Sequence, residues 1–295
     1  MKEEKRNYLK EFRWVSCFLL FFSLFGTTFT MGSMVLTEIL SYFTDNKDLS
    51  LFLSELGLYA ATIYTYYVGY RIFLKKWHQK IDVRPKNVNI LNFILDIIIS
   101  IILVRFIWII WQYIIDFLNY NPVSSDESIG ILSYLYIVII APIIEEIIMR
   151  GYILKILQKY GKYVSIIISS IFFGLFHGTF TQAIPCIFIG IIFANLAVKY
   201  KSVLPSIIVH IITNFISVIN IDSGAFLTVI KAIIIILSIV TLIYLLIINC
   251  KNIKKIFSEI KISFSLKLKS AAYIIFVISE LFNIVFDAIG GIYHH

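Results

Sequence analysis

Apolar runs about as long as a bilayer is thick recur along the whole chain, and no water-soluble fold has a use for so many of them. A helix needs about 20 mostly apolar residues to cross the hydrocarbon core. Eight segments meet that requirement: residues 14–42, 50–73, 89–117, 129–154, 162–180, 182–198, 202–221 and 226–249. Charged residues make up only 15% of the 295 and hydrophobic ones 59%, whereas a soluble domain carries about 25% charged residues. So few charges cannot cover a soluble globule. In lipid, a helix satisfies its own backbone hydrogen bonds within each span. The expected fold is therefore an all-α polytopic transmembrane helical bundle of about eight spans plus a C-terminal apolar helix.

The net charge of +8 raises nucleic acid as a partner, but the basic residues lie between the apolar runs rather than on one face, so they read as topology signals. Lys2, Lys5, Arg6, Lys10 and Arg13 precede the first run. Arg71, Lys75, Lys76, Lys80, Arg84 and Lys86 lie between the second and third. Lys155, Lys159 and Lys162 follow the fourth, Lys199 and Lys201 the sixth, and Lys251, Lys254 and Lys255 the eighth. The alternate connections are poor in bases. Eight spans with a cytoplasmic N-terminus satisfy this alternation, with Lys231 as the one base inside a span. The first run is too long for a signal peptide and lacks an A-x-A cleavage pattern, so it reads as a retained span. Residues 251–269 are basic and partly amphipathic, and 270–289 are apolar with Glu280 and Asp287 on one helical face. That tail is expected to be an interfacial or peripheral helix rather than a ninth span. Cys17, Cys186 and Cys250 are scattered within or beside apolar runs, with no CxxC, and read as membrane-buried side chains rather than a disulfide framework or thiolate site.

Against this background, ionisable residues inside spans demand a partner or a cavity. The densest group is Ala141-Pro-Ile-Ile-Glu-Glu-Ile-Ile-Met-Arg-Gly151. Glu146 and Arg150 are i,i+4 with the acid N-terminal, the favourable order for a pair. Glu145 is rotated by about 100° from Glu146, so it is left to point elsewhere and suits a general acid or base. Phe173 and His177 are again i,i+4, in Phe173-Gly-Leu-Phe-His177-Gly178, where Gly174 and Gly178 form a small-xxx-small step. His210 and Asn214 share one face of the seventh run, beside Thr213, and could supply donors to an oxyanion, bind an ion or bridge helices. A base, a second proton carrier and two donors are what adding water to an amide requires. No serine or cysteine lies in a nucleophile motif, so water is the expected attacking group.

Glu145-Glu146-x-x-x-Arg150, Phe173-x-x-x-His177 and His210-x-x-x-Asn214, in that order, resemble the CPBP family. This family includes type II CAAX prenyl endopeptidases and bacteriocin-processing or immunity (Abi) proteins. Ala141-Pro142 and Gly151 fit its first motif too, and no motif position departs from the pattern. The resemblance covers 129–221, which it marks as a catalytic helical core between N-terminal transmembrane helices (1–128) and a C-terminal transmembrane helix and tail (222–295). It implies an intramembrane protease with a cavity open towards the cytosol. Glu145 would activate water with help from His177, His210 and Asn214 would form the oxyanion hole, and Glu146, Arg150 and Phe173 would support them.

The family is often labelled metalloprotease, which makes zinc a candidate cofactor, held if at all by Glu145, His177 and His210. The sequence lacks HExxH and any familiar zinc spacing, so a metal-free glutamate mechanism is the preferred expectation. Other classes remain: a proton-coupled transporter relaying through Glu145, His177 and Asp96 or Arg105, or a non-proteolytic membrane scaffold or immunity protein. The lysine, asparagine and isoleucine bias points to a bacterial membrane. There, a secreted peptide, pheromone or bacteriocin leader is a better substrate than a prenylated CAAX protein. The expected partners are a peptide or protein substrate and the lipid bilayer, not nucleic acid, and the sequence does not indicate the oligomeric state.

Overall fold

The computed structural model describes residues 2–43, 47–75, 80–86, 88–120, 130–219, 225–249 and 271–293. The chain forms α1 (Lys2–Phe43), α2 (Lys47–Gly69), α3 (Ile90–Phe117), α4 (Ile131–Gln158), α5 (Lys162–Leu175), α6 (Phe180–Tyr200), α7 (Leu204–Val218), α8 (Ala225–Asn249) and α9 (Ala271–Tyr293), with no strand among the described residues. The first eight coincide with the eight apolar runs. The bundle has an apolar core and also turns apolar side chains outward. Ile90, Leu91, Ile94, Leu95 and Ile98 of α3 are exposed, while Ser100 is buried, as are Ser165, Ser169, Ser170, Ser202 and Ser206. Small polar residues inside and branched aliphatics outside are what lipid selects, because apolar side chains gain nothing by leaving it. This is a helical membrane bundle.

Four helices are long and apolar enough to cross a bilayer among the described residues: Ile90–Phe117, Ile131–Gln158, Phe180–Tyr200 and Ala272–Gly290. The helices α5 and α7 are shorter than the runs 162–180 and 202–221, having 14 and 15 residues. At 1.5 Å per residue each covers only about 20 Å. Local chemistry ends α5 early. Gly178 adopts φ +65°, a left-handed conformation that side chains with a Cβ resist, and the chain turns there into α6.

The α5–α6 hairpin is the closest helix pair around the site. A Cβ on Gly174 would lie 2.3 Å from Ile187 Cγ1 and 2.5 Å from the Ala183 carbonyl, so only glycine allows this approach. Phe172, Phe173 and Phe193 are fully or almost fully buried beside it. The helix α4 changes pitch twice, opening into π-helical turns over Tyr136–Ile140 and again over Ile147–Leu154. These wide turns bracket Pro142, which has no N–H to donate, and the acidic pair. π turns within α-helices frequently mark functional positions.

The C-terminal helix is a correction to the sequence reading. An interfacial or peripheral helix was expected rather than a ninth span; α9 runs alongside α1 and is long and apolar enough to cross a bilayer. Phe276 is fully buried near Phe172, and Tyr273 packs on Phe12 with ring centroids 5.1 Å apart. Glu280 accepts a hydrogen bond from Ser23, and Asp287 accepts one from Tyr120 Oη at 2.9 Å and one from the Phe180 N–H at 2.8 Å. Its other face, with Ile275, Ile278, Phe282 and Phe286, is exposed as a lipid-facing surface would be. The acids seven residues apart do share a face, but partners on α1, on α6 and after α3 draw that face into the bundle.

Candidate active site

The first motif sits where α4 narrows between its two wide turns. Glu146 and Arg150 are fully or almost fully buried, and Arg150 Nη1 lies 3.0 Å from Glu146 Oε1, the pair read from the sequence. Arg150 is held from two further directions. Its Nη2 donates to the Gly190 carbonyl at 3.2 Å, and its guanidinium lies 4.4 Å from the Phe173 ring centroid and 5.5 Å from that of Phe193. A planar cation that stacks on aromatic faces and donates in a fork is what lets a charge sit here; lysine could not make the same set of contacts.

Phe173 gathers the rest. Its ring meets His177 edge-on at 4.9 Å and His210 at 5.8 Å, while Phe193 lies 5.0 Å from His210. His177 Nδ1 is 2.7 Å from the Phe173 carbonyl, so that nitrogen carries the proton and Nε2 is left to accept one. His210 stands between the two acids, with Nδ1 3.2 Å from Glu146 Oε1 and Nε2 4.0 Å from Glu145 Oε2. Asn214 is half-buried and donates to the Ile137 carbonyl at 2.9 Å, tying α7 to the first wide turn of α4. A carboxamide has two N–H donors, so one remains.

Glu145 faces a cavity of about 440 Å³, as do Phe173, His177, His210 and Asn214. Its Oε2 is buried without a hydrogen-bond partner among the described residues, as is Glu146 Oε2. The sequence brought these residues together by motif, and the structure brings them together in space. Phe173 touches both His177 and His210, and both histidines line one cavity with Glu145. The sequence reading did not find the walls, Val104 and Trp108 from α3, Tyr136, Cys186 and Ile189. They are ordinary apolar or aromatic members of spans, and no local pattern separates a cavity wall from a lipid-facing position.

The remaining intramembrane charges also find places. Asp96 accepts from Lys199 and Tyr200 and so ties α3 to α6. Arg105 donates to Ser217 Oγ at 3.0 Å and lines, with Gln112, Asp116 and Lys231, an annex of about 300 Å³ that shares Trp108 and Ser217 with the main cavity.

Glu145, His177 and His210 are the side chains from which a zinc site would have to be built. Among the described residues, no group of three or more His, Cys, Asp or Glu side chains is placed to hold one ion. Glu146, the acid nearest His210, is already committed to Arg150. This arrangement does not fit a three-ligand zinc site.

Residues 127–216 match the family described as Type II CAAX prenyl endopeptidase Rce1-like. This stretch is similar to that family. The matched stretch, about a third of the chain, contains all seven site residues from Glu145 to Asn214. No curated protein and no solved structure matches the chain. The match supports a CAAX-type intramembrane endopeptidase in general terms.

Proposed function

We propose that this protein is an intramembrane endopeptidase in which Glu145 activates a water molecule. The supporting observation is the contrast between two adjacent acids. Glu146 is paired with Arg150 and does not line the cavity, whereas Glu145 faces it. Evenly shared charge would suit a structural cluster; this division leaves one carboxylate for chemistry.

The reaction then runs as follows. Water bound at Glu145 gives a proton to the carboxylate as its oxygen attacks the scissile carbonyl carbon. The carbonyl oxygen takes the electron pair and becomes the oxyanion. His210 Nε2–H and the remaining Asn214 N–H donate to it, in the manner of preorganised donors that act where charge develops. The proton held by Glu145 passes to the leaving nitrogen, directly or through His177 Nε2. The C–N bond breaks, giving a new carboxyl terminus and a free amine. Glu146 orients His210 through Nδ1, and Arg150 holds Glu146.

Comparison of membrane peptides by mass spectrometry in wild-type and Glu145→Ala cells tests this reading. Peptides that appear only in the wild type, with the variant present at normal level, support it. An unchanged peptide profile sinks it.

A further inference from the structure

The helices α3 and α6 run antiparallel and meet through an aromatic pair at each end. Ring centroids lie 5.0 Å apart for Phe93 and Tyr200 at one end, and 5.4 Å apart for Trp111 and Phe180 at the other. Between these contacts the helices part around a groove of about 730 Å³, none of whose lining residues lines the catalytic cavity. The lining residues run from Asp96 to Ile107 on α3 and from Lys199 back to Phe188 on α6, mostly three or four positions apart. One stripe of each helix therefore faces the groove. Ser100, Leu103 and Leu196 are buried along its floor, while Ile99 and Phe188 are exposed at its rim. At 1.5 Å per residue either stripe is about 17 Å long. That is close to one leaflet, half of a hydrocarbon core about 30 Å thick.

The charges of the groove are gathered at one end. Lys162 opens α5, Lys199 lies in the last turn of α6, and Asp96 lies near the start of α3. The basic connections meet at this end too, where Lys86 N–H donates to the Tyr200 carbonyl at 3.1 Å and Lys155 bonds Asp82 at 2.8 Å. It is the base-rich end of the bundle. Asp96 accepts from Lys199 and from Tyr200. Lys162 is exposed, lies 5.6 Å from the Tyr163 ring centroid and pairs with no carboxylate among the described residues. Two ammonium groups against one carboxylate leave a net positive charge at the head of an apolar groove. Asn195, one turn deeper on α6, gives one N–H to the Ile191 carbonyl at 2.8 Å and keeps a second.

We infer that this groove binds an anionic phospholipid, with one acyl chain between α3 and α6 and the phosphate on Lys162 and Lys199. The second N–H of Asn195 is then at the depth of an ester carbonyl. Basic pockets between transmembrane helices recognise anionic headgroups in this way. A zwitterionic lipid brings its own cation towards the same two ammonium groups. A peptide laid in the groove would find few partners for its backbone polar groups along the apolar walls, and a soluble anion would leave those walls uncovered. The groove shares its helices with the catalytic cavity. Leu103 and Ile107 face the lipid where the next residues, Val104 and Trp108, face the cavity, and Ile192 stands in the same relation to Phe193. A chain wedged there braces the cavity wall. The lipid site does not depend on the peptidase reading.

The test uses the purified full-length chain in phosphatidylcholine liposomes. Each preparation contains a trace of phosphatidylglycerol or of phosphatidylcholine, either one carrying a diazirine in an acyl chain. Cross-links formed on irradiation are mapped by mass spectrometry. The phosphatidylglycerol probe is expected to label Leu103, Ile107, Ile191 and Ile192 about fivefold more than the phosphatidylcholine probe, the preference that one lysine confers. Phe282 and Phe286, on the exposed face of α9, should be labelled equally by both. Lys162→Gln should abolish the preference at the groove and Lys162→Arg should keep it. Equal labelling of the groove by both probes in the wild type overturns the inference. So does a preference that Lys162→Gln leaves unchanged. If Lys162→Gln does not fold, wild-type liposomes in about 1 M salt, where the Debye length is about 3 Å, give the same information. Loss of the preference there supports the inference and its survival overturns it.

Discussion

Arg150 is the side chain whose loss the bundle should tolerate least. Its removal strands Glu146, an acid with no solvent contact, and breaking a buried pair from one side costs about 3–5 kcal/mol. Arg150→Met is expected to lower the thermal unfolding temperature in detergent by a correspondingly large amount. Arg150→Lys should be nearly as damaging, because lysine recovers the charge but not the bond to Gly190 or the stacking on Phe173 and Phe193. Glu145→Gln should behave in the opposite way, with unfolding close to wild type and cleavage reduced by about 10²- to 10⁴-fold, as expected for loss of a general base. The contrast between the two variants checks the division of labour between the adjacent acids. The Glu146–Arg150 pair and the separate direction of Glu145 follow from helical spacing, so sequence alone exposes them. The contact of His210 with Glu146 spans 64 positions and depends on how α7 packs on α4, which no local spacing encodes.

Two glycines four apart read in the sequence as one packing step, yet they act differently in their elements. Gly174 lets α5 and α6 touch, and Gly178 turns the chain. Gly174→Ala would drive its methyl into Ile187 and the Ala183 carbonyl and should reduce the yield of folded protein on size-exclusion chromatography. Relief by the second substitution Ile187→Ala should be incomplete, because the carbonyl remains. The helix α9 shows where patterning misled. Its period places Glu280 and Asp287 on one face, as an interfacial helix would, but it cannot show that Ser23, Tyr120 and Phe180 are waiting for them. Asp287→Ala removes two hydrogen bonds to a carboxylate, each worth about 1.5–3 kcal/mol at most. It should loosen the turn at Gly178, read as lower thermal stability together with faster amide exchange at the start of α6.

The eight helix positions follow from the bilayer's demand for long apolar runs, and the two ends of the bundle follow from where the bases fall between them. The place of the cavity does not, because it depends on how separate helices pack, and apolar walls look like any other part of a span. The base-rich end also carries a pH signature. The hydrogen bond and charge of Lys155 hold the Asp82 carboxyl below its ordinary range. The stability this adds is complete above the unfolded carboxylate pKa of about 4 and is lost as pH falls through the lower folded value. The difference in unfolding temperature between wild type and Asp82→Asn should therefore be largest near neutrality and close in acid. The most direct measurement of the central claim uses the purified protein in liposomes with a peptide that differs between wild-type and Glu145→Ala cells, incubated in ¹⁸O-water. The account predicts one ¹⁸O in each new carboxyl terminus and no product with Glu145→Gln. Undiminished cleavage by Glu145→Gln would contradict it.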